Sequence, residues 1–280
     1  MIIDTFLFYN ELNMLKYRLN YLYKYVDYFI LVESKYTFSR NEKKFYYEEN
    51  KEMFAEFNHK IIHVKLDENN KPNMWGNRKW PKDNNIWLNE HGERNAISKG
   101  IDKINRQYGI NNDDLIMLSD VDEFPNMENI HLIDKSKLNN MASLFYQYNL
   151  FNINKSKKFE SGCKDKRCTR IFTYKWYKEF KKNGFQDIRK SYGNIIDYGG
   201  WHLSDFGDSE FIINKYSQYS HSQDGNVIAL LNNDKRYEII ENKFFDKNSD
   251  TYTPIENNNF LPPNYKTLFE LFPETHYYKN

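Results

Sequence analysis

Apolar positions in the first 125 residues follow two different rhythms. IIDTFLFY (Ile2–Tyr9), DYFILVES (Asp27–Ser34), KIIHVKL (Lys60–Leu66) and the run Leu115–Ser119 are nearly continuous apolar stretches. Such runs are the mark of strands covered on both faces. Between the first two, Leu12, Leu15, Leu19 and Leu22 recur at helical spacing within Glu11–Tyr25. A second helix is predicted over Trp87–Tyr108, after a long loop, Asn69–Asn85, that carries Trp75, Trp80 and Pro81.

Strands alternating with helices predict an α/β fold with a mostly parallel central sheet flanked by helices. Ligands bind such sheets at the carboxyl ends of their strands. Polar residues gather there: Asn10 and Glu11 after the first strand, Glu33 and Ser34 ending the second, Asp120 and Asp122 after the fourth. A shared cleft is the expectation. The second half is less regular. ASLFYQYNLFNI, CTRIFTYKWY and NIIDYGGWHLS (Asn194–Ser204) read as strands, and Asp208–Ser220 as a helix capped by Asp208 or Ser209. From Asp246 the pattern fades into a polar tail that ends in a short helix, YKTLFELF.

Composition narrows the classes of function. The 280 residues carry 40 Lys and Arg against 39 acids, a formal net charge of +1. That balance supplies no general attraction to nucleic acid or an anionic membrane. No apolar run approaches the roughly 20 residues of a membrane span, and MIIDTFLFYNEL lacks a secretory leader's basic start and small-residue cleavage site. A soluble cytoplasmic protein is expected. Cys163 and Cys168 read as free thiols of a reducing compartment, not as a short-loop disulfide. Aromatic residues make up 18% of the chain, which reads first as codon bias and core.

The acidic strand end DDLIMLSDVDEFP (Asp113–Pro125) is the chemical signal, because adjacent buried carboxylates demand a cation. A calcium loop starting at Asp120 would need Gly at position six and an acid at position twelve, where Pro125 and His131 stand. A phosphatase nucleophile would follow the first strand, not the fourth. Glycosidase acids flank a bond about 5–9.5 Å wide, usually from separate elements. What remains is a divalent cation on a nucleotide diphosphate, with Mg²⁺ or Mn²⁺ matched to hard oxygen ligands. A solvated acidic turn is the plain alternative.

Several ordered segments bear a family resemblance. DTFLFYNELNMLKYRLNYL (Asp4–Leu22), VDYFILVESKYTFS (Val26–Ser39), ERNAISKGI (Glu93–Ile101), DDLIMLSDVDEFP, GGWHLSDFG (Gly199–Gly207), YSHSQ (Tyr219–Gln223) and LPPNY (Leu261–Tyr265) resemble glycosyltransferase family 17, the bisecting β-1,4-N-acetylglucosaminyltransferase family. The resemblance implies a GT-A type nucleotide-diphospho-sugar transferase fold, a divalent metal, and inverting transfer of N-acetylglucosamine from a UDP-sugar donor to a glycan acceptor. Together with the pattern that fades from Asp246, the expectation is a catalytic domain at 1–245, with a nucleotide-sugar half at 1–125 and an acceptor half at 126–245, followed by an extension at 246–280. Glu93 stands where relatives carry Gln, Asp205 where they carry an aromatic residue, and Asp208 near a usual Gly. A nucleotidyltransferase or an inactive carbohydrate-binding protein on the same fold are the alternatives.

Roles follow from residue chemistry. Asp122 is expected on the metal, with Asp120 reaching it through water or binding the donor ribose. His202 is expected as the third ligand, with His221 as competitor, because neutral imidazole suits Mn²⁺. Arg94 could neutralise the diphosphate or pair with Glu11 or Glu33. Asn10, Glu11, Glu33 and Ser34 could hold uracil and ribose, and Trp201 could stack on a sugar. Asp205 and Glu123 are both candidates for the general base.

Overall fold

The computed structural model describes residues 1–67, 86–147, 151–152, 168–245 and 259–273. The expected loop at Asn69–Asn85 and Cys163 fall outside them. The first half runs β1 (Ile2–Phe8), α1 (Leu12–Leu22), β2 (Tyr28–Ser34), the short α2 (Tyr46–Glu49), β3 (Ile61–Leu66), α3 (Ile86–Asn95), α4 (Ile97–Tyr108) and β4 (Leu115–Asp120). The second continues with β5 (Glu123–Pro125), β6 (Asn139–Gln147), β7 (Phe151–Asn152), β8 (Arg170–Thr173), α5 (Tyr174–Phe180), α6 (Phe185–Lys190) and β9 (Asn194–Ser204). It closes with α7 (Ser209–Gln218), α8 (Gly225–Leu231), α9 (Arg236–Phe245) and α10 (Lys266–Leu271).

The described strands form one nine-stranded sheet in the order β3-β2-β1-β4-β8-β6-β9-β5, with β7 on β6. β1 to β4 are parallel, β8 is antiparallel to both neighbours, and β6 and β9 are parallel again. This is the mixed α/β architecture that the strand and helix alternation predicts. Period-two alternation splits each apolar run between two cores. Phe6, Phe8 and Met117 face one side with Leu15, Leu19 and Leu22 of α1. Ile3, Leu7, Ile116 and Leu118 face the other with Ile97, Ile101 and Ile104 of α4. Each buried aliphatic side chain contributes about 1.5–3 kcal/mol relative to exposure, so both helices are held by their apolar stripes.

Two expectations change. The single helix over Trp87–Tyr108 is two, parted at Ala96. α4 buries an apolar stripe, whereas α3 buries Asn89, Glu90, Glu93 and Arg94. A strand does not extend through CTRIFTYKWY. It stops at Thr173, whose hydroxyl accepts the Trp176 N–H and caps α5, and Trp176 and Phe180 then stack one helical turn apart, 4.3 Å between ring centroids. The C-terminal helix packs beside α1: Leu268 and Phe272 lie in the α1-side core, and Asn13 donates to the Leu271 carbonyl at 2.6 Å.

β5 begins two residues after β4 yet pairs with β9 at the far edge of the sheet, with Glu123 opposite His202 and Phe124 opposite Trp201. Gly200 makes this approach possible, since a Cβ there would stand 2.0 Å from the Phe124 carbonyl oxygen. The GGWHLS stretch is therefore drawn against the acidic turn.

Candidate active site

A cavity of about 880 Å³ opens at the carboxyl ends of β1 and β4 and the end of β9. Its floor is the turn from Asp120 to Glu123, and a buried arginine builds that turn. Arg18 of α1 lies within the apolar stripe and is 0% exposed. Its guanidinium holds Asp4 through two bonds of 2.7 Å and donates to the Ser119 hydroxyl at 2.6 Å. Nη1 also donates to the carbonyls of Asp120, Val121 and Glu123, at 3.2, 3.2 and 2.7 Å. The planar five-donor fork of arginine makes such a multiple anchor possible.

Above the turn, two more arginines take up carboxylates. Arg94 of α3 donates to Asp120 Oδ1 at 2.8 Å, and Arg189 of α6 donates to Asp120 Oδ2 at 2.6 Å. Arg189 also grips both oxygens of Glu123, at 2.7 and 2.8 Å, and Glu123 Oε2 accepts the Asp120 N–H at 2.9 Å. Burial works to raise the Asp120 pKa, but Arg189 and Arg94 outweigh it and hold the carboxyl below its ordinary value. Both Asp120 oxygens are engaged by guanidinium groups. Asp120 therefore does not stand beside Asp122 as a second open ligand.

Asp122 is placed differently. Its Oδ1 lies 3.6 Å from His202 Nε2, and its Oδ2 lies 3.4 Å from Lys215 Nζ. Burial opposes its charge, but Lys215 and His202 prevail and push its pKa well down. Burial likewise opposes the His202 cation, while Asp122 and Cys168 lift the imidazole well above its ordinary value. Lys215, on α7, also faces Asp205 Oδ1 at 4.0 Å. Asp205 has φ 57°, a left-handed conformation costly for a non-glycine residue, and its Oδ2 accepts the Tyr216 hydroxyl at 2.9 Å. Glu123, Cys168 and His202 bring one ligand atom each within 4.8 Å of one another, a group that could coordinate a metal ion.

Glu11, Arg94, Asp120, Asp122, Glu123, His202, Asp205 and His221 all line the cavity. Glu11 Oε2 accepts the N–H groups of Tyr9 and Asn10, at 3.2 and 3.1 Å, and so folds its own turn. Asn10, Glu33 and Ser34 are not among the lining residues. Glu33 is buried against His63 at 3.0 Å and Lys43 at 3.5 Å, and Ser34 accepts the Tyr36 N–H at 3.1 Å. Trp201 is also elsewhere. Its indole is stacked on Phe260, 4.8 Å between centroids, and donates to the Phe260 carbonyl at 3.0 Å, so it packs away from this cavity. Arg94 pairs with Glu90 and Asp120, not with Glu11 or Glu33. His221 binds Asp224 at 2.7 Å, leaving His202 as the histidine at Asp122.

Four site residues were not foreseen. Arg18 had a signal, a lone cation on an apolar helical stripe. Arg189, Lys215 and Cys168 had none, since each reaches the turn only through the fold.

Among the described residues no helix is long and apolar enough to cross a membrane. The model of glycosyltransferase family 17 matches residues 1–255. No curated protein matches the chain.

Proposed function

The chain belongs to glycosyltransferase family 17, and from that membership we propose a metal-dependent, inverting transfer of N-acetylglucosamine from a UDP-sugar donor to a glycan hydroxyl. The observation that carries this reading is the acidic turn at the cavity floor, with Asp122 set between His202 and Lys215. A carboxylate facing an imidazole suits Mn²⁺ and, less well, Mg²⁺. Asp122 and His202 would hold the ion, His202 giving up to solvent the proton it carries beside Asp122, with Glu123 and Cys168 next to it. When bound, the ion stabilises negative charge on the departing UDP.

Protein groups do the rest. Lys215 supplies a fixed cation near the same charge, and the Arg94–Arg189 pair keeps the turn rigid while donor phosphates enter. Asp205 is the preferred base. Both Glu123 oxygens carry Arg189, whereas among the described residues the ion-pair partner of Asp205 Oδ1 is Lys215, at 4.0 Å, which leaves a lone pair for an acceptor hydroxyl. The acceptor proton passes to Asp205 as the hydroxyl oxygen attacks the anomeric carbon from the face opposite UDP. Of Asn10, Glu11, Glu33 and Ser34, Glu11, just past the end of β1, lines the cavity.

Calorimetry with a panel of nucleotide sugars, with and without Mn²⁺, tests the reading on wild type and Asp122→Ala. Metal-dependent binding of one UDP-sugar, abolished in the variant, and release of UDP instead of pyrophosphate are expected. Absence of any nucleotide-sugar binding in the presence of Mn²⁺ would sink it.

A further inference from the structure

Buried polar side-chain atoms nearly always have a hydrogen-bond partner, so those without one mark a demand that something else meets. Glu90 Oε2, Arg94 Nε and Gln186 Oε1 are buried, lack a partner among the described residues, and belong to residues lining one wall of the cavity. Glu90 and Arg94 lie one turn apart on α3, and Gln186 comes from α6. The two helices are pinned together. The Phe185 N–H donates to Asn95 Oδ1 at 2.8 Å, and Gly184, at φ 82°, leaves no room for a Cβ, which would meet the same oxygen at 2.8 Å.

The chemistry of this demand is selective. It consists of two acceptors, one of them a carboxylate, and one N–H donor. A diphosphate offers acceptors only and would be repelled by Glu90. A uracil edge offers one donor between two acceptors, the reverse of what is needed. Sugar hydroxyls, and an acetamido group, both donate and accept. Arg94 also ties this wall to the acidic turn, since Nη2 holds Glu90 Oε1 at 2.7 Å and Nη1 holds Asp120 at 2.8 Å. A sugar bound here would lie beside the diphosphate.

We propose that Glu90, Arg94 and Gln186 form the subsite that reads the transferred sugar of the donor, with Gln186 and Glu90 as its specificity-determining acceptors. This rests on the reading of the cavity as a nucleotide-sugar site. A site built around hydrogen bonds to a substrate discriminates strongly against a ligand that leaves them unmade.

The test is calorimetry of UDP and of UDP-N-acetylglucosamine, in Mn²⁺, on wild type, Gln186→Met and Glu90→Gln. UDP is the internal control for folding and for the nucleotide end of the site. The expected result is an affinity for UDP-N-acetylglucosamine about tenfold weaker in Gln186→Met, the equivalent of one lost hydrogen bond, with UDP unchanged within twofold. Glu90→Gln should weaken the sugar nucleotide in the same selective way. Unchanged binding of both ligands, or an equal loss of both, overturns the subsite while leaving the transferase reading intact. Failure of the wild type to bind either ligand overturns the nucleotide-sugar reading, and the subsite with it.

Discussion

At the two ends of the acidic turn, the carboxylates of Asp120 and Glu123 are locked by Arg94 and Arg189, with hydrogen bonds of 2.6 to 2.8 Å. Between them in sequence, Asp122 meets its cations only at 3.4 and 3.6 Å, and its neighbour Asp205 meets Lys215 at 4.0 Å. The first group is satisfied by the protein. The second is neutralised in charge but loose in geometry, which leaves room for a metal or substrate to take over a contact. Short bidentate pairs rigidify a turn; longer ones leave the same charges available for chemistry. Acids of one motif thus divide into a frame and a working face.

Substitutions can break this division or sharpen it. The largest effect is expected below the frame, at Arg18. Arg18→Met strands Asp4 in the core and removes three carbonyl anchors, for a loss of about 3–5 kcal/mol that chemical denaturation would read. A change under about 1 kcal/mol would mean that the turn holds itself. Asp122→Asn should lower the melting temperature, because it takes away the carboxylate that faces Lys215 and His202, and sugar transfer should fall on the order of a hundred- to a thousandfold. Asp120→Asn should also lower stability, because Arg94 and Arg189 each lose a charged acceptor, but transfer far less. If the two aspartate variants behave alike in turnover, the division is wrong.

A smaller effect is expected at Lys215, which serves the working face alone. Lys215→Met should reduce kcat about tenfold and also lower the melting temperature, because it leaves the buried carboxylates of Asp122 and Asp205 short of a cation. The smallest concerns Glu93, buried on α3 beside Lys43. Burial, only partly offset by Lys43, pushes its pKa from 4.5 up to about 8. Its contribution to stability is therefore complete below pH 4.5 and is lost as pH rises through about 8, because the unfolded chain releases the proton first. Wild type should melt a few degrees lower at pH 8.5 than at pH 6, and Glu93→Gln should flatten that slope.

The first half was well read from pattern. Nearly continuous apolar runs can satisfy two cores only as central strands, so β1, β2 and β4 were legible one by one, and the edge strand β3 was legible from the alternation that buries Ile62, Val64 and Leu66. The second half was less so, because β5, β8 and β9 owe their places to long-range pairing. Thr173 turns a strand into a helix through its own hydroxyl, and β5 travels to the far edge through its match with Gly200. α6 lies in a stretch without apolar periodicity, so Arg189 was invisible. Trp201 and Glu33 misled for a related reason: an aromatic or an acid at a strand end can face either the cleft or the core.

What the chain alone determined is the alternation of strands and helices, the acidic turn at the end of β4, and the family its ordered segments announce. These are local facts, written in periodicity and in runs of neighbouring residues. The tertiary structure decided which carboxylate is caged and which is open. That choice depends on cations brought from α1, α3, α6 and α7, and the energy of an ion pair depends on separation in space, not along the chain.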